Sequence, residues 1–155
     1  IILILVVFGS CLFFTECKKY EEDDVWIQWK RPEKRLINNS PWKFEELLEN
    51  DVNISNLYIN DSSYFDKLIF IQIDNDTESN FRPDSPFFSN SIYGTYVFRN
   101  KYKYLLMGVP TLNNIGNYLF LINEIIWQIE RLDSHYLILT GNYNTKAYRI
   151  TYKSE

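Results

Sequence analysis

Residues that build most enzyme centres are scarce in this chain of 155 residues, which holds one histidine, two cysteines and five glycines. A single histidine with so few thiols cannot supply the usual ligand sets for zinc. Five scattered glycines form no phosphate-cradling loop and no nucleophile elbow. His135 lies in the turn Asp133-Ser134-His135 between two apolar runs, where a solvated polar residue is expected and not a base or ligand. Acids do neighbour one another, as in Glu45 with Glu46 and in the group Asp74, Asp76 and Glu78. Glycoside hydrolysis needs two carboxyls facing each other across a cleft, and these are adjacent. The second group also lacks the glycine and terminal glutamate of an EF-hand loop. The expectation is a chain that is not an enzyme, with no cofactor and no metal.

Charge excludes a further class. Sixteen Lys and Arg stand against twenty Asp and Glu, for a net charge of −4. No basic stripe is present, so nucleic acid is not an expected partner.

What is abundant is aromatic: twelve Tyr, eleven Phe and four Trp, spread along the whole chain. Such residues fit a pleated, half-buried surface better than a helix. Asn beside Asp, Ser or Gly punctuates the apolar segments as turn residues do. The bulk reading is an all-β domain.

Before that domain, an uncharged apolar run from Ile1 to Phe14 leads through Thr15-Glu16-Cys17 into Lys18-Lys19-Tyr20-Glu21-Glu22-Asp23-Asp24. A run of about fourteen residues is short for a membrane span, which needs about twenty, and suits the core of a cleaved signal. This is the plan of a bacterial lipoprotein leader. Residues 1–16 are read as the signal peptide and Cys17 as the lipidated residue. Cys11 competes, because the small pair Gly9-Ser10 precedes it, but cleavage there would leave Leu12-Phe13-Phe14 outside the leader. With either cysteine a disulfide is not expected. Residues 17–40 are read as the lipidated Cys and a charged tether, and residues 41–155 as the folded domain.

Within that domain, apolar and polar residues alternate with the period of strands. Trp42 to Leu48 places Trp42, Phe44 and Leu48 on one side. Lys67 to Ile73 is apolar at nearly every position, as in a strand covered on both faces. Ile92 to Arg99 and Lys103 to Val109 flank Asn100-Lys101-Tyr102 as a hairpin, with Gly94 marking a bulge or bend. Asn117 to Glu124 and Ile125 to Leu132 read as one long bent strand or as two, with a helix as the competing reading. A final pair, Tyr136 to Thr140 and Lys146 to Lys153, flanks a turn at Gly141-Asn142-Tyr143-Asn144. Between strands, Asn75 to Ser91 reads as a long loop whose Phe81, Phe87 and Phe88 either cap a barrel mouth or plug the core. Seven or eight antiparallel strands at this spacing suit a small barrel or a sandwich.

The order Cys17-Lys18-Lys19-Tyr20-Glu21-Glu22, Arg31-Pro32-Glu33-Lys34-Arg35-Leu36 and Trp42-Lys43-Phe44-Glu45 resembles the lipocalin-like lipoproteins of Bacteroidetes. Trp127-Gln128-Ile129-Glu130-Arg131-Leu132, Leu137-Ile138-Leu139 and Tyr148-Arg149-Ile150 are similar to the end of those domains. The chain departs from the family at Glu16, where a small residue is usual. The resemblance implies a single antiparallel lipocalin-like β-barrel of about eight strands, whose interior is filled or encloses one small ligand. It also implies a lipid anchor in the outer membrane, facing the periplasm or the cell surface; the acids after Cys17 are similar to a surface-export signal. The expected role is a non-enzymatic envelope module that binds a small apolar or carbohydrate-derived ligand, lined by Trp42, Phe44, Tyr96, Phe98, Trp127 and Tyr148. The alternative is a filled barrel that recognises an envelope protein.

Overall fold

A computed structural model describes residues 32–71, 79–87, 93–109 and 116–155. The expected leader, Cys11, Cys17, the acidic block and the group Asp74, Asp76 and Glu78 lie outside the described residues.

The strands are β1 (Trp42–Glu49), β2 (Val52–Asn53), β3 (Lys67–Ile71), β4 (Ser79–Asp84), β5 (Gly94–Arg99), β6 (Tyr104–Gly108), β7 (Ile126–Leu132), β8 (Tyr136–Tyr143) and β9 (Lys146–Ser154). Among the described residues three short helices accompany them: α1 (Pro32–Asn38), α2 (Ser55–Ile59) and α3 (Phe120–Asn123). Every pairing is antiparallel, each strand from β3 to β9 lies beside its sequence neighbour, and β1 pairs with both β3 and β9. The eight strands β1 and β3–β9 thus close an up-and-down barrel, with β2 folded back on the end of β1. Of the barrel and the sandwich that the strand pattern left open, the barrel is the one formed, and it is the lipocalin-like architecture that the resemblance implied.

Alternation decides what points inward. Tyr148, Ile150 and Tyr152 of β9, Trp127 and Ile129 of β7, and Leu68 and Phe70 of β3 are buried, and side chains from all eight barrel strands form one core cluster. A barrel of eight strands is just wide enough for side chains to fill, and this one is supplied with large rings. Phe44 meets Tyr58, Tyr64 and Tyr152 edge-on at centroid distances of 5.1, 5.5 and 6.1 Å, and Phe70 meets Tyr96 at 5.0 Å. Such pairs contribute about 0.5–1.5 kcal/mol each beyond their burial.

Both ends are covered by helices pinned in the same way. At one end α1 touches β3 and β7, which stand on opposite sides of the barrel, so it spans the opening. The Trp42 indole donates to the Leu36 carbonyl at 2.7 Å, and Arg35 donates to the carbonyl of Leu132 at 3.3 Å. At the other end the Trp127 indole donates to the Leu121 carbonyl of α3 at 2.8 Å. Each indole satisfies a carbonyl that a short helix leaves without an intrahelical partner.

Several sequence expectations need correction. Residues 32–40, assigned to the tether, begin the packed domain: Leu36 is fully buried. Pro32 suits the first helical position, where its missing N–H costs nothing. The long loop expected over Asn75 to Ser91 contains strand β4, paired to β3 from Lys67↔Asp84 to Ile71↔Asn80. Phe81 is a core residue and Phe87 is exposed, while Phe88 lies outside the described residues. Asn117 to Glu124 carries the short helix and no strand. In β1 the ladder shifts register between Phe44 and Glu46, so Leu47 turns inward and Leu48 outward, against the simple alternation. An extra residue in one strand does this. Ile69 and Ile71 of β3 are only half-buried, so that strand has one covered face.

The last hairpin turns at Asn144-Thr145, two residues later than expected, with Gly141 inside β8. A Cβ on Gly141 would stand 2.3 Å from an Ile125 methyl, so glycine is there to make room. Gly94 begins β5 under a similar constraint: its Cβ would fall 2.5 Å from both the Gly108 carbonyl oxygen and the Phe81 ring.

Candidate functional site

The six aromatics expected to line a pocket belong to β1, β5, β7 and β9, and all but the half-buried Phe98 are buried. Each is engaged with its neighbours. Trp42 and Trp127 hold the two end helices, and Phe44 sits among Tyr58, Tyr64 and Tyr152. Tyr96 packs between Phe70 and Phe98, and Phe98 also meets Tyr102 at 5.2 Å. Tyr148 meets Phe120 at 5.5 Å and donates its hydroxyl to Glu49 Oε2 at 2.8 Å. Burial and that bond to a carboxylate push the Tyr148 hydroxyl well above its ordinary pKa. Hydrogen bonds from Lys146 and from Tyr148 hold the Glu49 carboxyl below its own.

Among the described titratable residues considered from sequence, Asp133, His135 and Glu46 have structural partners. Asp133 Oδ1 accepts from the His135 and Tyr136 amides, both at 2.7 Å, and its other oxygen pairs with Arg131. Burial opposes ionisation of Asp133, but these bonds outweigh it and the pKa is lowered. His135 itself is exposed, its Nδ1 2.9 Å from Ser134 Oγ. Glu46 accepts from Asn53 at 3.0 Å while Glu45 is exposed. Among the described residues, no three His, Cys, Asp or Glu side chains gather as metal ligands, and no helix is long and apolar enough to cross a membrane.

A concave feature does exist on the outer face. Outward residues of adjacent strands align in one row, Tyr104 opposite Gln128, Gln128 opposite Thr140, Thr140 opposite Arg149, and Arg149 opposite Leu48. The next row brings Asn142 opposite Ala147. The small side chains Thr140 and Ala147 lie between bulkier ones on β6, β7 and β1, and the surface dips there into a groove of about 390 Å³. Tyr104 and Ile126 form one wall, Leu48, Asp51 and Arg149 the other.

No protein-family profile matches the chain, and no curated protein is similar to it. The groove's chemistry therefore has to be read from its own side chains. Arg149 is held by a two-bond fork, Nε to Glu130 Oε2 at 2.9 Å and Nη2 to Oε1 at 3.0 Å. That fork raises the Arg149 pKa. The side chains of Gln128, Thr140 and Asn142 make no hydrogen bond to other described residues and are offered to whatever enters.

Sequence reasoning did not select Tyr104, Gln128, Thr140, Asn142 or Arg149. Alternation marks them as outward, but an outward residue ordinarily meets only water. The signal that singles them out is register, which sets Thr140 of β8 and Ala147 of β9 on a diagonal with larger residues flanking them.

Proposed function

We propose that this chain is a non-enzymatic interaction module of the cell envelope, in which the barrel is a packed scaffold and the outer groove across β6–β9 is the recognition surface. The observation that carries this reading is the use made of the aromatic residues. Rings that would line an internal site are instead packed against one another and against the end helices, whereas Gln128, Thr140 and Asn142 turn their polar groups to the outer groove. Affinity needs a concave surface with a few convergent polar groups, and the groove supplies both.

The lipocalin-like lipoprotein resemblance completes the proposal. Lipid on Cys17 tethers the module to the outer membrane, two acyl chains being enough for stable anchoring. Labelling cells with an alkynyl fatty acid tests this directly: label is expected on the wild-type chain and on Cys11→Ser, and lost from Cys17→Ser. Label retained by Cys17→Ser and lost from Cys11→Ser would move the anchor to Cys11.

The scaffold reading is tested with a fluorescent fatty acid titrated against the full chain in zwitterionic detergent. No saturable binding is expected. Saturable binding that quenches the indole fluorescence and persists in Thr140→Trp, which fills the groove, would place the ligand inside the barrel and overturn the reading.

A further inference from the structure

We propose that the outer groove binds a neutral oligosaccharide, an inference that rests on the groove being the recognition surface. Charge removes most other ligands. The one guanidinium in the lining is neutralised by its fork to Glu130 and lies in the field of Glu46 and Asp51, so no spare cation remains for a phosphate, sulfate or carboxylate ligand. Asp51 is the only carboxylate in the lining, and its field is directed to Arg149, so there is no acidic cluster to hold a metal or a basic peptide.

What remains is neutral and both donating and accepting. Gln128 and Asn142 each present an amide, and Thr140 between them presents a hydroxyl. These groups both donate and accept, which matches sugar hydroxyls that do the same. A purely apolar ligand would cover these groups and leave them unpaired, which disfavours it. Beside them, Ile126 is 61% exposed and the Tyr104 ring is braced by Lys103 Nζ 5.4 Å from its centroid. The wall they form is apolar, as the C–H face of a pyranose requires. A volume of about 390 Å³ lies within the roughly 300–1,000 Å³ of small-ligand clefts, and gives room for a short stretch of sugar rings. The surface is formed by hydrogen-bonded strands, so the backbone that carries its polar groups is in place before the ligand arrives, which lowers the ordering cost of binding.

The test uses the full chain in a zwitterionic detergent without a sugar headgroup. Amide spectra, including the side-chain amides of Gln128 and Asn142, are recorded during titration with maltose, cellobiose and N,N′-diacetylchitobiose. At least one of these is expected to shift the signals of β7 and β8 saturably. The double variant Gln128→Ala/Asn142→Ala is expected to weaken that binding at least tenfold, and Thr140→Trp to abolish it. Val97→Ala, on the outer face of β5, leaves it unchanged. The inference is overturned if none of the three sugars moves these signals, or if the shifts survive Thr140→Trp. The two failures are distinguishable: a fatty acid bound inside the barrel defeats the groove reading itself, whereas a protein that binds wild type but not Thr140→Trp, with no sugar bound, defeats only the sugar.

Discussion

Trp127→Phe is the sharpest test of how the barrel is closed. The indole is buried and donates to the Leu121 carbonyl at 2.8 Å. Phenylalanine keeps most of the ring but removes the donor. Leaving that buried carbonyl without its partner costs about 1–3 kcal/mol, and the smaller ring leaves a void worth roughly a further 1 kcal/mol. A loss of about 2–4 kcal/mol is expected against a total stability on the order of 5–15 kcal/mol, or a fall in Tm of roughly 4–16 °C for a domain of this size. Urea unfolding followed by far-ultraviolet circular dichroism gives the stability without relying on the deleted fluorophore. Hydrogen exchange locates the damage: the amides of Ile122, Asn123 and Glu124, which close the turns of α3, should exchange faster, with those of α1 unchanged. Trp42→Phe should show the reverse, with the Asn39 amide, bonded to the Arg35 carbonyl, losing protection. If Trp127→Phe unfolds within about 0.5 kcal/mol of wild type, a surface-like value, the indole is not a pin and the account of the closed end is wrong.

Gly94→Ala should destabilise the chain by about 1–3 kcal/mol, as overpacking does, because the new methyl meets the Phe81 ring and the Gly108 carbonyl; a stability equal to wild type would refute that close approach. Asp133 and Asp61 both have folded pKa values below their ordinary ones. The unfolded chain then binds more protons than the folded one, so the stability they contribute is present above the ordinary carboxylate value of about 3.9 and is lost as pH falls through their lowered folded values. A Tm series from pH 6 to pH 2.5 should fall at its acid end, and less so in Asp133→Asn; an unchanged slope in that variant would sink the assignment. Asp61 accepts from the Ser63 and Asn117 amides at 2.8 and 2.9 Å, so Asp61→Ala should speed exchange at Asn117 while the β8–β9 ladder keeps its protection. Equal exchange would show that the clasp holds nothing.

The strands legible in the sequence are β1, β3 and β5 to β9, each marked by a short run in which apolar residues alternate with polar ones or follow one another. β4 escaped because Asn80, Arg82 and Asp84 supply its outward face and Pro83 sits among them, which reads as a loop. Its only large apolar residue among the described inward positions is Phe81. α1 escaped because seven residues are too few to display a helical period, and the two it buries are Leu36 and Arg35. Gly141 misplaced the last turn, since a glycine required by its neighbours' bulk looks the same in sequence as one required by the chain's direction. The groove was the least legible feature of all. It depends on which outward residues stand opposite one another across five strands, and a bulge in β1 decides that Leu48 is among them.

The placement of α1 also determines how the domain carries load. Tension applied to the chain before Pro32 does not reach β1 first; it passes into a helix that braces staves on opposite sides of the opening and is latched by Trp42 and Arg35. To peel β1 away, a pull must first undo that crossbar, and beyond it β1 is held along its length by β9, from Trp42↔Ser154 to Glu49↔Tyr148. Force arriving from that side meets the crossbar before it meets the barrel's first rung.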